Sequence, residues 1–323
     1  TRVRSSAASD VYKRQMLEDN HVAVVLRSDE LDHMDAAERA LFDGRLDFWE
    51  KTSVRNGFIG GGFDGGPGLP KQKALEAGIP GADSIPDGAE LFLGFTSSQK
   101  AALGGDMVAN FESIPGLTDQ WPGGYFRFGT AMHLSHLYED LEGWYKQTYT
   151  ERVDRTFRPG LGAAAGTQTV HEGPAAVRTL PYVRETLEQQ RLVGHSAAFQ
   201  PATRLPADLI DNYGNFYPQG SPIPIRADCN TLDNPFSWSC DPVRDKWSPE
   251  PMAGLLFTVF VPTSSAFHRA RLTMDGHYPD GTILDIDPRS PHQGMNSFLH
   301  TTHRQNFLIP PRRHRSFPLA ELL

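Results

Sequence analysis

Four groups of residues have types and spacings that could do chemistry. His133-Leu-Ser-His136, followed by Tyr138 and Asp140, sets two imidazoles three residues apart. On a helix such a pair shares a face and could hold a metal ion; on a strand the odd spacing sends the rings to opposite faces. The segment alternates in part between Gly-rich turns, so it reads as a strand with one ring buried and one exposed. A metal hydrolase built on the pair is an outsider. The stretch from Asp275-Gly276 to Asp285-Ile286-Asp287-Pro288 hints at hard-cation ligands but lacks the spacing and terminal Glu of a calcium loop, and reads as a solvated acidic loop. His300-Thr-Thr-His303-Arg304 with Arg312, Arg313, His314 and Arg315 either binds carboxylates or phosphates or is a charged chain end. Val193-Gly194-His195 places a lone His after a Gly in a long loop, with Ile225-Arg226-Ala227-Asp228-Cys229-Asn230 downstream. Taken alone, such a His is structural.

The elements that must position these residues follow from periodicity and breakers. His21 to Leu26 is a β-branched run that predicts a strand, and residues 35–50 have apolar positions at helical spacing. Residues 57–89, dense in Gly, Pro and Asp, read as an irregular connection and the best internal boundary. Leu91 to Phe95 predicts a short strand, Tyr125 to Leu137 another, and Asp140 to Thr156 a helix. Within the irregular stretch 157–222 one helix is expected around 176–192. Met252 to Val261 is the strongest strand, a helix is expected over 264–274, and Asn306 to Ile309 begins a last strand that Pro310-Pro311 stops. That order describes an α+β protein whose sheets are covered on one face by helices.

The composition narrows the function classes. With 323 residues there is chain for about two domains of ordinary size, and 30 Gly with 25 Pro make it loop-rich without being disordered. A net charge of −8 argues against a broad nucleic-acid or anionic-membrane footprint, and no apolar run is long enough for a membrane-spanning helix. Cys229 and Cys240 cannot make a disulfide framework and read as free or buried thiols. Residues 5–15 back-translate to a transposase-type sequencing adapter read in frame, so residues 1–15 are expected to be non-native and the natural N-terminus to lie upstream. Both a cytoplasmic and an exported location fit.

Read in order, several segments resemble the dye-decolourising peroxidase and deferrochelatase superfamily, and most closely a divergent, largely uncharacterised branch of it. Leu91-Phe92-Leu93-Gly94-Phe95-Thr96-Ser97-Ser98 is similar to its Gly-Phe-x-Asp-Gly segment. Gly129 to Leu134 with Asp140 to Trp144 is similar to the strand and helix that follow. Val193-Gly194-His195 falls where the superfamily keeps its proximal haem histidine, and Ile225-Arg226 near its distal arginine. Gly254 to Phe257 and Asn306 to Pro311 are similar to its closing strands.

The resemblance implies tandem ferredoxin-like domains of the dimeric α/β-barrel type, the first incomplete. Residues 16–123 would be the remnant of the first with an interdomain loop, and 124–323 the second, haem-binding domain. It implies haem b with His195 on the iron, Arg226 on the distal side or a propionate, and Phe257, Phe260 and Phe307 as pocket walls. Arg304 or Arg312 would pair with a propionate. The partners would be hydrogen peroxide and a small-molecule substrate, with a homo-oligomer compatible. Two departures stand out. Ser97 occupies the place of the distal Asp and cannot act as an anionic base, which leaves a water or Asp106 to shuttle the proton; and Arg226 follows His195 at a long interval, so that Ala227 is an alternative occupant of the arginine's place. A catalytically weak haem or porphyrin binder, or a cofactor-free protein of the same fold, is the competing expectation.

Overall fold

A computed structural model describes residues 16–17, 20–45, 48–60, 67–96, 129–171, 173, 175–210, 214–234, 250–262, 264–286 and 294–311. The centre is a mainly antiparallel sheet of β1 (Met16–Leu17), β2 (Thr130–Glu139), β5 (Ile225–Arg226), β6 (Cys229–Thr231), β7 (Gly254–Val261) and β8 (Leu299–Ile309). Its order is β1-β8-β2-β7-β5, with β6 also paired to β7, and only β1 runs parallel to its neighbour. A separate hairpin joins β3 (Leu209–Ile210) to β4 (Phe216–Tyr217). The helices are α1 (Leu31–Ala40), α2 (Leu69–Glu76), α3 (Leu141–Tyr145), α4 (Tyr149–Thr156), α5 (Leu180–Gln190), α6 (His195–Thr203) and α7 (Ser264–Met274). The protein is therefore α+β with antiparallel sheets. Among the described residues no helix is long and apolar enough to cross a membrane.

Pairing register sorts the side chains of the sheet, because residues directly opposite one another point to the same face. Ala131, His133 and Ser135 on β2 stand opposite Val261, Val259 and Phe257 on β7, and opposite Leu308, Asn306 and Arg304 on β8. Arg226 on β5 stands opposite Val259. This is the helix face: Ala131, Val259 and Val261 pack with Phe257 against Ala266 and Phe267 of α7. Met132, Leu134 and His136 belong to the far face. There residues 20–60 run across the sheet: Asn20 N–H donates to Gln305 Oε1 at 2.9 Å, and Phe58 bridges to Asn230.

Covering both faces corrects the expectation for the two histidines. His133 is 3% exposed and His136 2%, so opposite faces did not mean one buried and one solvated. Likewise His300 and His303 lie within β8, which starts at Leu299 and not at Asn306, so this part of the basic cluster is sheet and not a solvated chain end; Arg312 to Arg315 lie outside the described residues.

Other expectations shift for local reasons. His21 to Leu26 forms no strand; Val22 and Val25 are exposed, and a β-branched run without a ladder partner has nothing to pair with. The helix expected over 35–50 begins at Leu31 and ends, after a π-turn, at Arg45. Residues 57–89 are not an empty connection: α2 and a 3₁₀ turn at Ala82–Ser84 bring Ala74, Ile79, Ala82 and Ile85 together with Phe92, Leu141 and Ala253 in one core cluster. Leu91 to Phe95 is a turn and not a strand, closed by Gly94 N–H to Leu91 O at 3.0 Å with Gly94 at φ 84°. The single helix expected over Asp140 to Thr156 splits in two. Asp140 caps α3 by accepting from Gly143 N–H, and Thr148 with Glu151 forms a capping box that starts α4. Tyr125 to Phe128 lie outside the described residues, and β2 extends two residues past Leu137.

Candidate functional site

His195 opens α6, a helix missed in the sequence because a Gly precedes it and Pro201 interrupts it. Its position is set by close backbone approach. A Cβ on Gly194 would fall 2.2 Å from Phe157 O and 2.7 Å from Arg158 N, while Ala197 N–H donates to Phe157 O at 3.1 Å. Only glycine lets the start of α6 lie on the end of α4 in this way. Gly194→Ala is expected to cost about 1–3 kcal/mol by overpacking. It should also move His195, which a chemical-shift change of its ring protons would register; an unshifted ring in a stable variant would contradict the account.

The His195 ring meets Phe199, one turn on, edge to face at 5.1 Å between centroids. Burial, then the positive charge of Arg226, lowers its pKa to about 4, so the imidazole is neutral at neutral pH. Beside it lies a cavity of about 10 Å³, bordered by Val193, Ala198, Met274, Ile286 and Asn296, which has room for about one water.

Arg226 comes from the sheet. It lies on the helix face of β5, and its Nη1 is 3.6 Å from Asp228 Oδ2. Burial pushes the Asp228 carboxyl up, against the pull of Arg226 and of the Thr258 N–H that it accepts at 3.3 Å. The structure thus sets Arg226 close enough to His195 to act on its charge, while the side chains bordering the cavity at His195 come from α6, the end of α7 and the segments around them.

The helix face of the sheet also holds polar groups that sequence reasoning did not assign to a site. His133 Nδ1 is 2.8 Å from Asn306 Oδ1, and His133 Nε2 is 2.5 Å from Ser135 Oγ. The ring stacks on Phe267 at 3.7 Å. Burial, partly offset by the Asn306 hydrogen bond and reinforced by Arg304, lowers the His133 pKa to about 4. Arg304 stands opposite Ser135, and Arg271 of α7 is close enough to feel both Arg304 and Asp275. The i, i+2 spacing of His133 and Ser135 was the one signal in the sequence; Asn306 and Arg304 join through strand pairing, which a single sequence does not display.

The expected phenylalanine walls divide. Phe257 is on the helix face, 6.3 Å from both His133 and Phe267 between ring centroids. Phe260 and Phe307, opposite Ile225 and Met132, belong to the far face, and none of the three borders the cavity at His195. The reason is the two-residue period: the apolar run of β7 is buried on both sides, so apolarity alone did not show which residues face the helices. Ser97, Asp106 and Arg312 lie outside the described residues. Among the described residues no three His, Cys, Asp or Glu side chains gather to hold a metal ion, and His133 and His136 point away from each other.

Several solved structures are similar at low identity. The encapsulated DyP-type peroxidase from Mycobacterium smegmatis is 15% identical with a TM-score of 0.36, over 71% of this chain and 54% of that one. A DypB variant from Rhodococcus jostii RHA1 in complex with heme is 13% identical with a TM-score of 0.35, over 69% and 52%. A dye-decolorizing protein from V. cholerae is 14% identical with a TM-score of 0.30, over 62% and 46%. The chain thus spans about half the length of these structures. No curated protein matches it significantly. Over residues 2–311 the sequence matches the family of unknown function DUF7405, and the chain belongs to that family.

Proposed function

We propose that the chain is a haem-b-binding protein of the dye-decolourising peroxidase type, with His195 as iron ligand and Arg226 as the facing cation, and that it oxidises a small molecule with hydrogen peroxide. One observation carries this reading: a buried, neutral His195 at the start of α6 lies in the field of Arg226. An imidazole must be neutral to bind a metal, and burial keeps this one so. Of the residue types haem needs, one ring nitrogen for the iron and a cation near it, His195 and Arg226 supply both, whereas the cavity at His195 has room for about one water and not for the haem itself. The strand order β8-β2-β7-β5, with helices between β2 and β5 and between β7 and β8, supports a ferredoxin-like second half over 124–323 and 16–123 as the remnant of a first.

Bound haem would supply the iron redox chemistry. The chain's own part is to hold the iron at His195 and to keep a cation ready. Arg226, drawn to Asp228 at 3.6 Å, is placed to stabilise negative charge developing on a peroxide oxygen. Phe257 and Val259 give the sheet side of the layer an apolar surface beside it.

A cofactor-free or catalytically weak protein of the same fold is the second reading, favoured by the cavity of only about 10 Å³ at His195. Haemin titration separates the two. A Soret band saturating at one haemin per chain is expected, lost in His195→Ala while far-ultraviolet circular dichroism stays unchanged. A wild-type chain without the band leaves the cofactor-free reading, and a band retained in His195→Ala ends the assignment of His195.

A further inference from the structure

Residues 52–58 form a strap over the far face of the sheet, tied at its two ends. On the β8 side Thr52 Oγ1 donates to Asn20 Oδ1 at 2.5 Å, and Asn20 N–H and Nδ2–H donate to Gln305 Oε1 at 2.9 and 3.0 Å. On the β6 side Phe58 and Asn230 exchange both backbone hydrogen bonds at 2.8 Å, and Asn56 N–H donates to Asp233 Oδ2 at 2.5 Å. β2 and β7 lie between β8 and β6 in the sheet, so the strap crosses them. Between the ties Val54 is exposed, so hydrogen bonds and the packing of Phe58 on Phe92 are what hold it down. Beneath it His136 and His303 stand directly opposite one another, 2% and 3% exposed, with ring centroids 6.4 Å apart. Neither ring nitrogen of His136 has a hydrogen bond of good geometry, and the Asp233 carbonyl gives a ring proton only weak support. Other charged or titratable groups on this side are Arg55 of the strap, which acts on both rings, and Arg27 and Asp233. Cys229, on β6, and Tyr138 with His300, one pair along, complete the set.

We propose that His136 and His303 make the strap an acid-operated latch, closed over a neutral pair of rings and lifted from the sheet when the rings take up protons. The latch is independent of any cofactor. Protonation under the closed strap would set two imidazolium charges side by side beneath Arg55, out of water. Burial first, and Arg55 next, hold both rings at a pKa of about 3 while the strap is closed. A ring open to water titrates near 6.5. The open state therefore binds more protons than the closed one below about pH 6.5, and closure weakens as pH falls through that range. Between pH 7.5 and 5 the opening constant should rise by about 30-fold for each histidine. Lifting uncovers the two rings and the Cys229 thiol, on which Gly57 is pressed so closely that a Cβ there would fall 2.4 Å from Sγ.

Hydrogen exchange of the full chain, corrected for the intrinsic pH dependence of amide exchange, reads the latch at the Asn56 and Phe58 N–H groups, with the amides of β2 as the sheet control. From pH 7.5 to pH 5 protection at Asn56 and Phe58 should fall by about 30-fold or more in the wild type, while β2 keeps its protection. The fall should be smaller in His136→Gln and nearly absent in His136→Gln/His303→Gln. A smaller fall in the wild type, a double variant that keeps the wild-type fall, or β2 losing protection in step with the strap overturns the latch. Should the variants not fold, ring-proton NMR of the wild type decides: His136 and His303 should take up protons only where the strap amides have lost protection. Rings that titrate beneath a protected strap overturn the proposal.

Discussion

Replacing Glu139 by Gln should stabilise the protein by about 3 kcal/mol at pH 7, with little effect near pH 4. Glu139 closes β2, is 2% exposed, and leaves Oε2 buried with no hydrogen-bond partner. Burial first, and the charge of Asp228 second, raise its pKa from 4.5 to about 8. The folded chain therefore keeps a proton that the unfolded chain releases above pH 4.5. The unfolded state binds fewer protons between these two values, so wild-type stability falls as pH rises through that window and levels off above about 8. Gln has nothing to release. Chemical denaturation of both proteins at pH 4, 7 and 8.5 checks this: the gap between them should open with pH. A gap that stays constant would mean that the carboxyl is not held neutral in the fold.

The second large effect is expected at Trp144, which should cost about 3–5 kcal/mol when replaced by Ala. It is fully buried in the cluster of Phe95, Val153, Phe157, Val170, Met295 and Phe298. Its ring meets Phe298 at 5.4 Å and Phe95 at 6.5 Å, edge to face, and its Nε1–H donates to Leu93 O at 3.1 Å. This one side chain ties α3 to the turn 91–95 and to the loop before β8. Trp144→Phe should retain more of the stability and lose chiefly the hydrogen bond, leaving Leu93 O unpaired at about 1–3 kcal/mol. Equal losses in the two variants would place the energy in the hydrogen bond alone.

Much of this architecture was legible in the sequence where one physical signal dominated. The continuous apolar run of β7 and the expected 264–274 span of α7 appear where periodicity put them, and Pro310-Pro311 ends β8 as expected. The reading failed where tertiary contacts override local pattern. Leu91 to Phe95 has strand composition, yet Phe92 and Phe95 are anchors of two different core clusters, and a turn at Gly94 is what separates them. At the site, His195 and Arg226 were singled out through the resemblance, and the structure sets Arg226 close enough to act on the charge of His195. The His133–Ser135–Asn306 network was not found, because Asn306 reaches His133 only through a strand pairing 173 residues apart.

β8 carries a slip in its ladder. His136 pairs with His303 but Leu137 pairs with Thr301, so Thr302 is an extra residue, and its Oγ1 donates to His136 O at 3.0 Å. The strand thus runs in two phases joined at one residue. That residue lets His300 and His303, at odd spacing, share the far face while Arg304 and Asn306 keep to the helix side. Losing Thr302 would make Thr301 and His303 neighbours opposite Leu137 and His136, so the ladder would run in one phase with every other side chain on the face it has now. What the extra residue sets is thus the spacing of the two histidines along the chain and a hydrogen bond to His136 O, while the ladder on either side of it keeps its facing.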